Sequence, residues 1–227
     1  MHIRSVIKEV GWVDGVLYGI SRVLEKMSGQ RVLLFKYYLV AQPIGSRVPK
    51  PIRQDPSVVM RRIDRDDSLV RSFPRPQTII AQRYAAGATC TAALVNGEFA
   101  GFIWLQKGRY QEDELRCTFV LQESSVSIWD FDVYIEPKYR IGRTMARLWG
   151  HVDSELSTQG VQWSFSRISA FNSASLSSHA RLGTVICGSA VFMLIGPVQL
   201  SLLPDFPYAH VSFSEFCKPI VRLRPPL

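Results

Sequence analysis

The sequence predicts an α/β fold built on a mixed sheet and preceded by an N-terminal amphipathic helix. Residues 128–183 read in order as strand, helix, strand and helix, which is the pattern of a βαβ unit with two parallel strands and a right-handed crossover. Asn96-Gly97 separates two β-rich runs and predicts a hairpin. Residues 2–27 carry apolar side chains at helical spacing along one stripe.

The βαβ pattern sets the expected boundaries in the second half of the chain. A strand over Ile128–Ile135 should stop before Pro137, because proline cannot continue a strand ladder. A helix is expected over about Arg143–Gln159, where apolar residues recur at helical spacing. A second strand over Val161–Ser169 and a second helix over Ala174–Leu182 complete the unit.

The remaining segments follow from local composition. Residues 42–56 are rich in Pro, Gly and Arg and are expected to form a loop, whereas 107–114 should be a loop with a solvated acidic run. Residues 57–73 are very basic and are expected to be partly helical. The predicted strands are Val32–Val40, Thr89–Val95, Phe99–Gln106 and Arg116–Gln122, the last antiparallel beside the central strand, and a short helix is predicted over Thr78–Ala85.

Length and charge limit the classes of protein to consider. With 227 residues, of which 47% are hydrophobic, the chain can bury one good-sized core with an appendage. We expect residues 1–56 to form the appendage and residues 57–227 the main domain. The net charge is +8, and residues 28–86 alone carry eleven basic and four acidic residues. This uneven distribution argues against a nucleic-acid binder and indicates a local basic face for an anionic partner.

The cysteine pattern and the apolar runs bear on the cellular environment. The four cysteines are widely spaced without a C-x-x-C pair, so we expect no zinc site, four free thiols and a cytoplasmic protein without a signal peptide. Residues 184–203 carry no charge, but Gly188, Gly196 and Pro197 favour a buried hairpin over a spanning helix. The N-terminal helix has a net charge of only about +1, so peripheral membrane contact has weak support. Docking onto its own domain or onto a second copy in a homodimer is preferred.

Two sequence motifs resemble the signatures of the GNAT acyltransferase superfamily. The run from Ile135 to Arg140, with Gly142, is similar to the acyl-CoA-binding turn V-x-P-x-x-R-G-x-G-x-G. Residues 172–183 are similar to the second signature, with Asn172, Ser175 and His179 at matching offsets. The resemblance covers about residues 88–195 and implies a GNAT-like fold that moves an acyl group from acetyl-CoA or another acyl-CoA to an amine or hydroxyl of a small-molecule acceptor.

The resemblance also implies which residues bind the acyl donor. The phosphates would lie on backbone N–H groups at a helix N-terminus, where the dipole favours anions. The implied donor-binding residues are Val133, Ile135, Arg140, Ile141, Gly142, Arg143, Thr144, Asn172 and Ser175. In one alignment Ile141, Arg143 and Met145 stand where the family prefers Gly or Ala; in the other, the turn is shortened and Gly142 is its last glycine. Both leave open whether coenzyme A itself carries the acyl group.

Three titratable residues are the candidates for catalysis. Asp130 and Asp132 are expected on one face of the central strand by period-two alternation. Some family members have an acidic residue five positions before the first residue of the turn, and Asp130 stands at that position relative to Ile135. The resemblance therefore implies that Asp130 is a general base, and Asp132 is the second candidate. His179 stands where many members have a tyrosine that protonates the leaving thiolate. The alternative is that both residues are structural: Asp130 would accept hydrogen bonds from backbone N–H groups, and His179 would lie at the surface or in the packing of its helix.

Two other functions remain open from the sequence. An acidic acyl carrier protein could deliver the acyl group and dock on the basic 28–86 segment. A catalytically idle GNAT-like binding module is the third possibility. No metal is expected in any of the three, and no residue pattern identifies the acceptor.

Overall fold

The computed structural model describes residues 11–45 and 55–226, which form a mixed α/β fold as predicted. The four α-helices of these residues are α1 (Trp12–Met27), α2 (Gln77–Ala85), α3 (Thr144–Thr158) and α4 (Ser173–Arg181). The strands are β1 (Val32–Pro43), β2 (Val58–Ile63), β3 (Thr89–Val95), β4 (Glu98–Gln106), β5 (Arg109–Gln111), β6 (Thr118–Leu121), β7 (Ser127–Ile135), β8 (Trp163–Ser169), β9 (Val185–Ile195), β10 (Val198–Leu202), β11 (Ala209–Ser212) and β12 (Ile220–Leu223). Short 3₁₀ turns cover Ser68–Ser72 and Pro137–Tyr139.

The chain forms two compact units, each assembled from separate segments. Unit 1 contains the residues up to Gln42, Arg109–Gln122 and the chain from Phe165 onward. Unit 2 contains Pro43–Gly108 and Glu123–Ser164. The expected domain boundary at residue 56 stays a prediction.

In unit 1, β1 pairs antiparallel with β9, β9 with β10, and β10 with β11. A separate small sheet joins β6 to β5 antiparallel and to β12 in parallel. Helix α1 lies against β1 through a polar contact, since buried Asp14 accepts hydrogen bonds from Lys36 Nζ at 2.6 Å and Tyr38 Oη at 2.5 Å. The N-terminal helix was predicted over residues 2–27, and its first residues lie outside the described part of the chain.

In unit 2, β7, β4, β3 and β2 form an antiparallel meander. Helix α3 packs against β2, β3 and β4 and buries Leu148, Val152 and Leu156. Helix α2 covers the other face, where Tyr84 packs edge-on against Trp104. The two faces of this sheet therefore have separate helical covers, and residues of β4 point alternately to α2 and to α3.

Most predicted elements are confirmed within one or two residues, including the Asn96-Gly97 hairpin. The hairpin of β9 and β10 forms as predicted, but it is only partly buried, since Ile186 and Leu202 are exposed. One further prediction holds in part and one is wrong. The basic segment 57–73, predicted to be partly helical, forms strand β2, which pairs with β3, followed by a 3₁₀ helix over Ser68–Ser72. Strand β6 pairs with β5 and β12 in the small sheet, and it does not lie antiparallel beside the central strand.

The four cysteines are free: Cys90 and Cys117 are buried, and Cys187 and Cys217 are exposed. Within the described ranges, no group of three or more His, Cys, Asp or Glu side chains is placed to hold a metal ion. No helix in residues 11–45 and 55–226 combines the length and apolarity needed to cross a membrane.

Candidate functional site

The turn that follows β7 leads directly into helix α3. The pairing of β7 with β4 ends with a hydrogen bond from the Glu136 N–H to the Ala100 carbonyl at 2.9 Å. Pro137 then opens a 3₁₀ turn, whose Lys138 and Tyr139 side chains both reach the carboxylate of Glu98. This anchoring to the β3–β4 hairpin fixes the direction in which the chain enters the helix.

The first residues of the turn and helix are open to solvent. Arg140, Gly142 and Arg143 are exposed, and Ile141 is fully exposed, whereas Thr144 is buried. Arg143 occupies the N-cap position, and its side chain makes no capping hydrogen bond. The helix therefore presents first-turn N–H donors that the N-cap side chain does not satisfy, beside two guanidinium groups, and this arrangement favours an anion.

Arg140 is oriented by the end of β7. Its Nε donates to the Ile135 carbonyl at 2.9 Å, and its guanidinium carbon lies 5.8 Å from the centre of the Tyr134 ring. This hydrogen bond occupies one lone pair of the Ile135 carbonyl. The donor contacts implied for Val133 and Ile135 stay predictions.

Strand β7 contains a bulge at Asp132. Phe102 pairs with Tyr134 and Trp104 with Phe131, so the single residue between them on β4 faces two residues on β7. Asp132 has a φ of 48°, in the left-handed region that Asp and Asn tolerate better than most residues. The bulge interrupts the alternation of side chains along the strand.

The two carboxylates of β7 consequently lie on different faces, and the expectation of a shared face is wrong. Asp130 pairs with Leu105 on the face that α3 covers, whereas Asp132 turns to the α2 side. Asp130 is buried, and its Oδ2 accepts a hydrogen bond from the Ser164 hydroxyl at 2.6 Å. A buried carboxylate with a hydroxyl donor is compatible with a structural role and with proton transfer.

Asp132 accepts hydrogen bonds from two arginines. Arg75 Nε donates at 2.8 Å and its second nitrogen completes a bidentate pair, while Arg83 donates at 2.5 Å. Arg83 lies over the rings of Trp104 and Phe131, and Arg75 lies over those of Phe102 and Tyr134. The cluster of one carboxylate and two guanidinium groups on an aromatic floor carries a net positive charge.

The second predicted signature belongs to unit 1 and forms helix α4. Asn172 is its N-cap, and its side-chain oxygen accepts the Ser175 N–H at 3.0 Å, so these two residues begin the helix. His179 is buried, and within the described part of the chain its Nδ1 has no hydrogen-bond partner. Burial lowers the pKa of His179 below its ordinary value, which favours the neutral imidazole at pH 7.

The acidic run 112–114 is not a solvated loop throughout, contrary to the prediction. Glu112 is buried and forms a bidentate ion pair with Arg167, which also reaches Glu114. The guanidinium of Arg167 lies 4.2 Å from the centre of the Tyr37 ring. Burial raises the pKa of the Tyr37 phenol. The Glu112 carboxylate is thus already paired with a cation within unit 1.

Sequence reasoning missed Arg75, Arg83 and Ser164 as partners of the two carboxylates. Arg83 and Arg75 lie 49 and 57 residues before Asp132 in the chain, and no local pattern marks such a contact. The excess of basic residues in segment 28–86 was a partial signal for the two arginines, because both lie in that segment. The structure shows that Lys36, Arg61, Arg75 and Arg83 of that segment all form internal ion pairs.

Comparison with known proteins identifies similar folds only at low sequence identity. No protein-family model and no curated protein matches the chain. A Drosophila protein of known structure is 14% identical with a TM-score of 0.50, and the match covers 78% of this chain and 57% of that one. The match therefore spans little more than half of the Drosophila chain, and it supports the fold alone.

Two further solved structures match with TM-scores below 0.5. A protein from Novosphingobium aromaticivorans assigned to the GNAT family is 17% identical with a TM-score of 0.45, and the match covers 70% of this chain and 65% of that one. AAC(6')-Iy, solved with a CoA-containing bisubstrate analogue, is 16% identical with a TM-score of 0.43, and the match covers 56% of this chain and 89% of that one.

Proposed function

We propose that this protein is an acyltransferase that takes an acyl group from a phosphate-bearing thioester, acyl-CoA in the first instance, and passes it to an amine or hydroxyl of a small acceptor. The observation that carries the proposal is the turn between β7 and α3. It combines an uncapped helix N-terminus with exposed Arg140 and Arg143 at the place that the sequence resemblance assigns to the donor phosphates.

For the transfer itself, the protein must position the two substrates, accept the proton of the acceptor group and stabilise the departing thiolate. The acceptor heteroatom attacks the thioester carbonyl, the carbon–sulfur bond breaks, and the acceptor proton ends on the departing sulfur. Asp130 is our candidate for receiving the acceptor proton, with Asp132 as alternative, and His179 is our candidate hydrogen-bond donor to the thiolate. Because burial favours the neutral imidazole, we assign His179 a donor role through its N–H group.

The donor-binding turn is tested with two arginine variants. Arg140→Ala and Arg143→Ala should each weaken acetyl-CoA binding by about 1.5–3 kcal/mol if each guanidinium contacts a phosphate. Isothermal titration calorimetry with acetyl-CoA and longer acyl-CoAs measures this loss. Arg65→Ala is the matched control, because Arg65 is also an exposed arginine of unit 2 but lies far along the chain from the turn. Unchanged affinity in both turn variants would remove the turn from the site.

The proton-transfer residues are tested once an acceptor has been found by screening amines and amino sugars. Asp130→Asn and His179→Phe should each lower turnover by about 10²–10⁴ while leaving thioester affinity unchanged. A residue that serves only the fold would instead lower the unfolding midpoint and leave the turnover of the folded fraction intact. Chemical denaturation of each variant therefore accompanies the kinetics.

The same experiments separate the other two functions. Binding of a thioester-loaded acyl carrier protein in preference to acyl-CoA would favour carrier-dependent transfer. The internal pairing of Arg61, Arg75 and Arg83 leaves fewer free cations for such a partner than the sequence indicated. Thioester binding without transfer to any acceptor would indicate a binding module.

A further inference from the structure

Unit 2 contains a cavity of about 290 Å³ between its sheet and the C-terminal half of helix α3. Its walls combine two cations, one carboxylate, two hydroxyls, an amide and several apolar groups. The lining residues are Arg62, Gly87, Thr89, Thr91, Leu105, Lys107, Ile128, Glu155, Leu156 and Gln159. A volume near 300 Å³ is at the small end of the range for ligand pockets, so the cavity suits a small metabolite.

Strand register explains why these side chains share one face. Arg62 of β2 pairs with Thr91 of β3, and Thr89 of β3 pairs with Leu105 of β4. Directly opposed residues of antiparallel strands point to the same side of a sheet, and here that side faces α3. The main sheet of unit 2 therefore places Arg62, Thr89, Thr91 and Leu105, whereas Lys107 directly follows the last residue of β4.

The charges around the cavity are unevenly placed. Arg62 and Lys107 lie at the exposed ends of β2 and β4, and neither side chain forms an ion pair or hydrogen bond within residues 11–45 and 55–226. Glu155 lies on the last turn of α3, where Gln159 Nε2 donates to it at 3.3 Å. The C-terminal end of a helix carries partial negative charge and favours a cation. The two cations of the cavity thus lie at the ends of β2 and β4, and its carboxylate lies at the end of α3.

We propose that this cavity binds a small zwitterion of the free α-amino acid class. Its carboxylate would lie with Arg62 and Lys107, and its ammonium group with Glu155 at the end of α3. Leu105, Ile128 and Leu156 provide an apolar surface for the side chain of the ligand. A simple anion would leave Glu155 opposed to it, and a simple amine would leave both cations without a partner.

The cavity is separate from the proposed donor-binding turn. Glu155 follows Thr144 by eleven residues in α3, which corresponds to about 16 Å along the helix axis. An amino acid in the cavity therefore does not occupy the place proposed for the thioester phosphates. The result of testing this site is independent of the result for Arg140 and Arg143.

The test is calorimetric titration of the full chain with the standard L-amino acids. Each amino acid is compared with the acid that lacks only its amino group and with the amine that lacks only its carboxylate. For leucine these two compounds are isocaproate and isoamylamine. We expect at least one amino acid to bind with a Kd of about 1 mM or below, and its matched acid and amine to bind at least about tenfold more weakly.

Variants assign the binding to the cavity. Arg62→Gln, Lys107→Gln and Glu155→Gln should each weaken amino acid binding about tenfold, whereas Arg65→Gln removes an exposed cation outside the cavity and should leave it unchanged. All four positions are exposed or half-exposed, so folded protein is expected, and circular dichroism checks it. The proposal is overturned if no amino acid binds, if the acid binds as well as the amino acid, or if Arg65→Gln has the same effect as the cavity variants.

Discussion

For Asp132, the sequence predicted a carboxylate on the central strand but not the side of the sheet on which it lies. A carboxylate on the central strand was visible in the sequence, but its left-handed backbone and its two arginine partners were not. The bulge depends on a mismatch of one residue between β7 and β4, and no local propensity specifies that mismatch. The candidate carboxylates could thus be named from the sequence, whereas the face that each one occupies could not.

His179 should make folding stability depend on pH. Burial lowers the pKa of the folded imidazole, while the unfolded side chain titrates near 6.5. Between these two values the unfolded chain binds a proton that the folded chain does not, so stability falls as pH decreases below about 6.5. The loss from this group is at most about 1.4 kcal/mol for each pH unit. Urea unfolding at several pH values between 5 and 8 (about the range in which His titrates) measures the slope.

Two variants isolate the contribution of His179 to that slope. His179→Phe removes the titrating group and should flatten the stability profile below about pH 6.5. His151→Asn is the control, because His151 is exposed on α3, and this variant should keep the wild-type profile. An unchanged slope in His179→Phe would show that the acid sensitivity comes from other groups.

At the scale of elements, the close approach of β4 and β7 depends on Gly101. A Cβ atom at this position would lie 2.4 Å from the Tyr134 carbonyl oxygen and 2.7 Å from Ile135 Cδ1. The contact with main-chain oxygen cannot be relieved by a rotamer change. Strand β7, which leads into the proposed donor-binding turn, therefore needs a residue without a side chain opposite its last residues.

Gly101→Ala should destabilise the protein by about 1–3 kcal/mol, the usual range for overpacking. It should also weaken acyl-CoA binding, because Ile135 and the turn behind it must shift. Gly150→Ala is the control: Gly150 lies within α3, a Cβ atom added there would meet nothing within 4 Å, and alanine is favoured in helices by about 0.5–1 kcal/mol. Thermal and urea denaturation distinguish the two variants. Equal stability in both would mean that β4 and β7 can separate without cost.

The elements that the sequence predicted well are those with a strong local period. Helix α3 has a clear apolar stripe, and the β3–β4 hairpin has its Asn-Gly turn. Strand β2 was missed because its arginines masked the β-branched residues that pair with β3. One partner of β6, strand β12, was missed because it lies roughly 100 residues later in the chain, and such pairings leave no local mark. Its other partner, β5, was missed because it has only three residues, within a segment predicted as a loop.

At the scale of the whole molecule, sequence order and spatial grouping differ. Each compact unit takes its segments from both halves of the chain, and unit 1 joins the first strand to the last three strands of its antiparallel sheet. The sequence predicted a mixed α/β fold, and its motifs suggested a donor site. It did not reveal this interleaving, which depends on contacts between segments distant along the chain.

The pairing of β1 with β9 has a consequence during synthesis. Val32 pairs with Ile195, roughly 160 residues later, so one edge of β1 stays unpaired in a nascent chain for roughly 10–30 s, until β9 leaves the ribosome. Helix α1 emerges still earlier and carries exposed Trp12, Val13 and Met27 even in the finished fold. During that interval the growing polypeptide presents a strand with an unpaired edge next to an apolar helix, the kind of surface that chaperones bind.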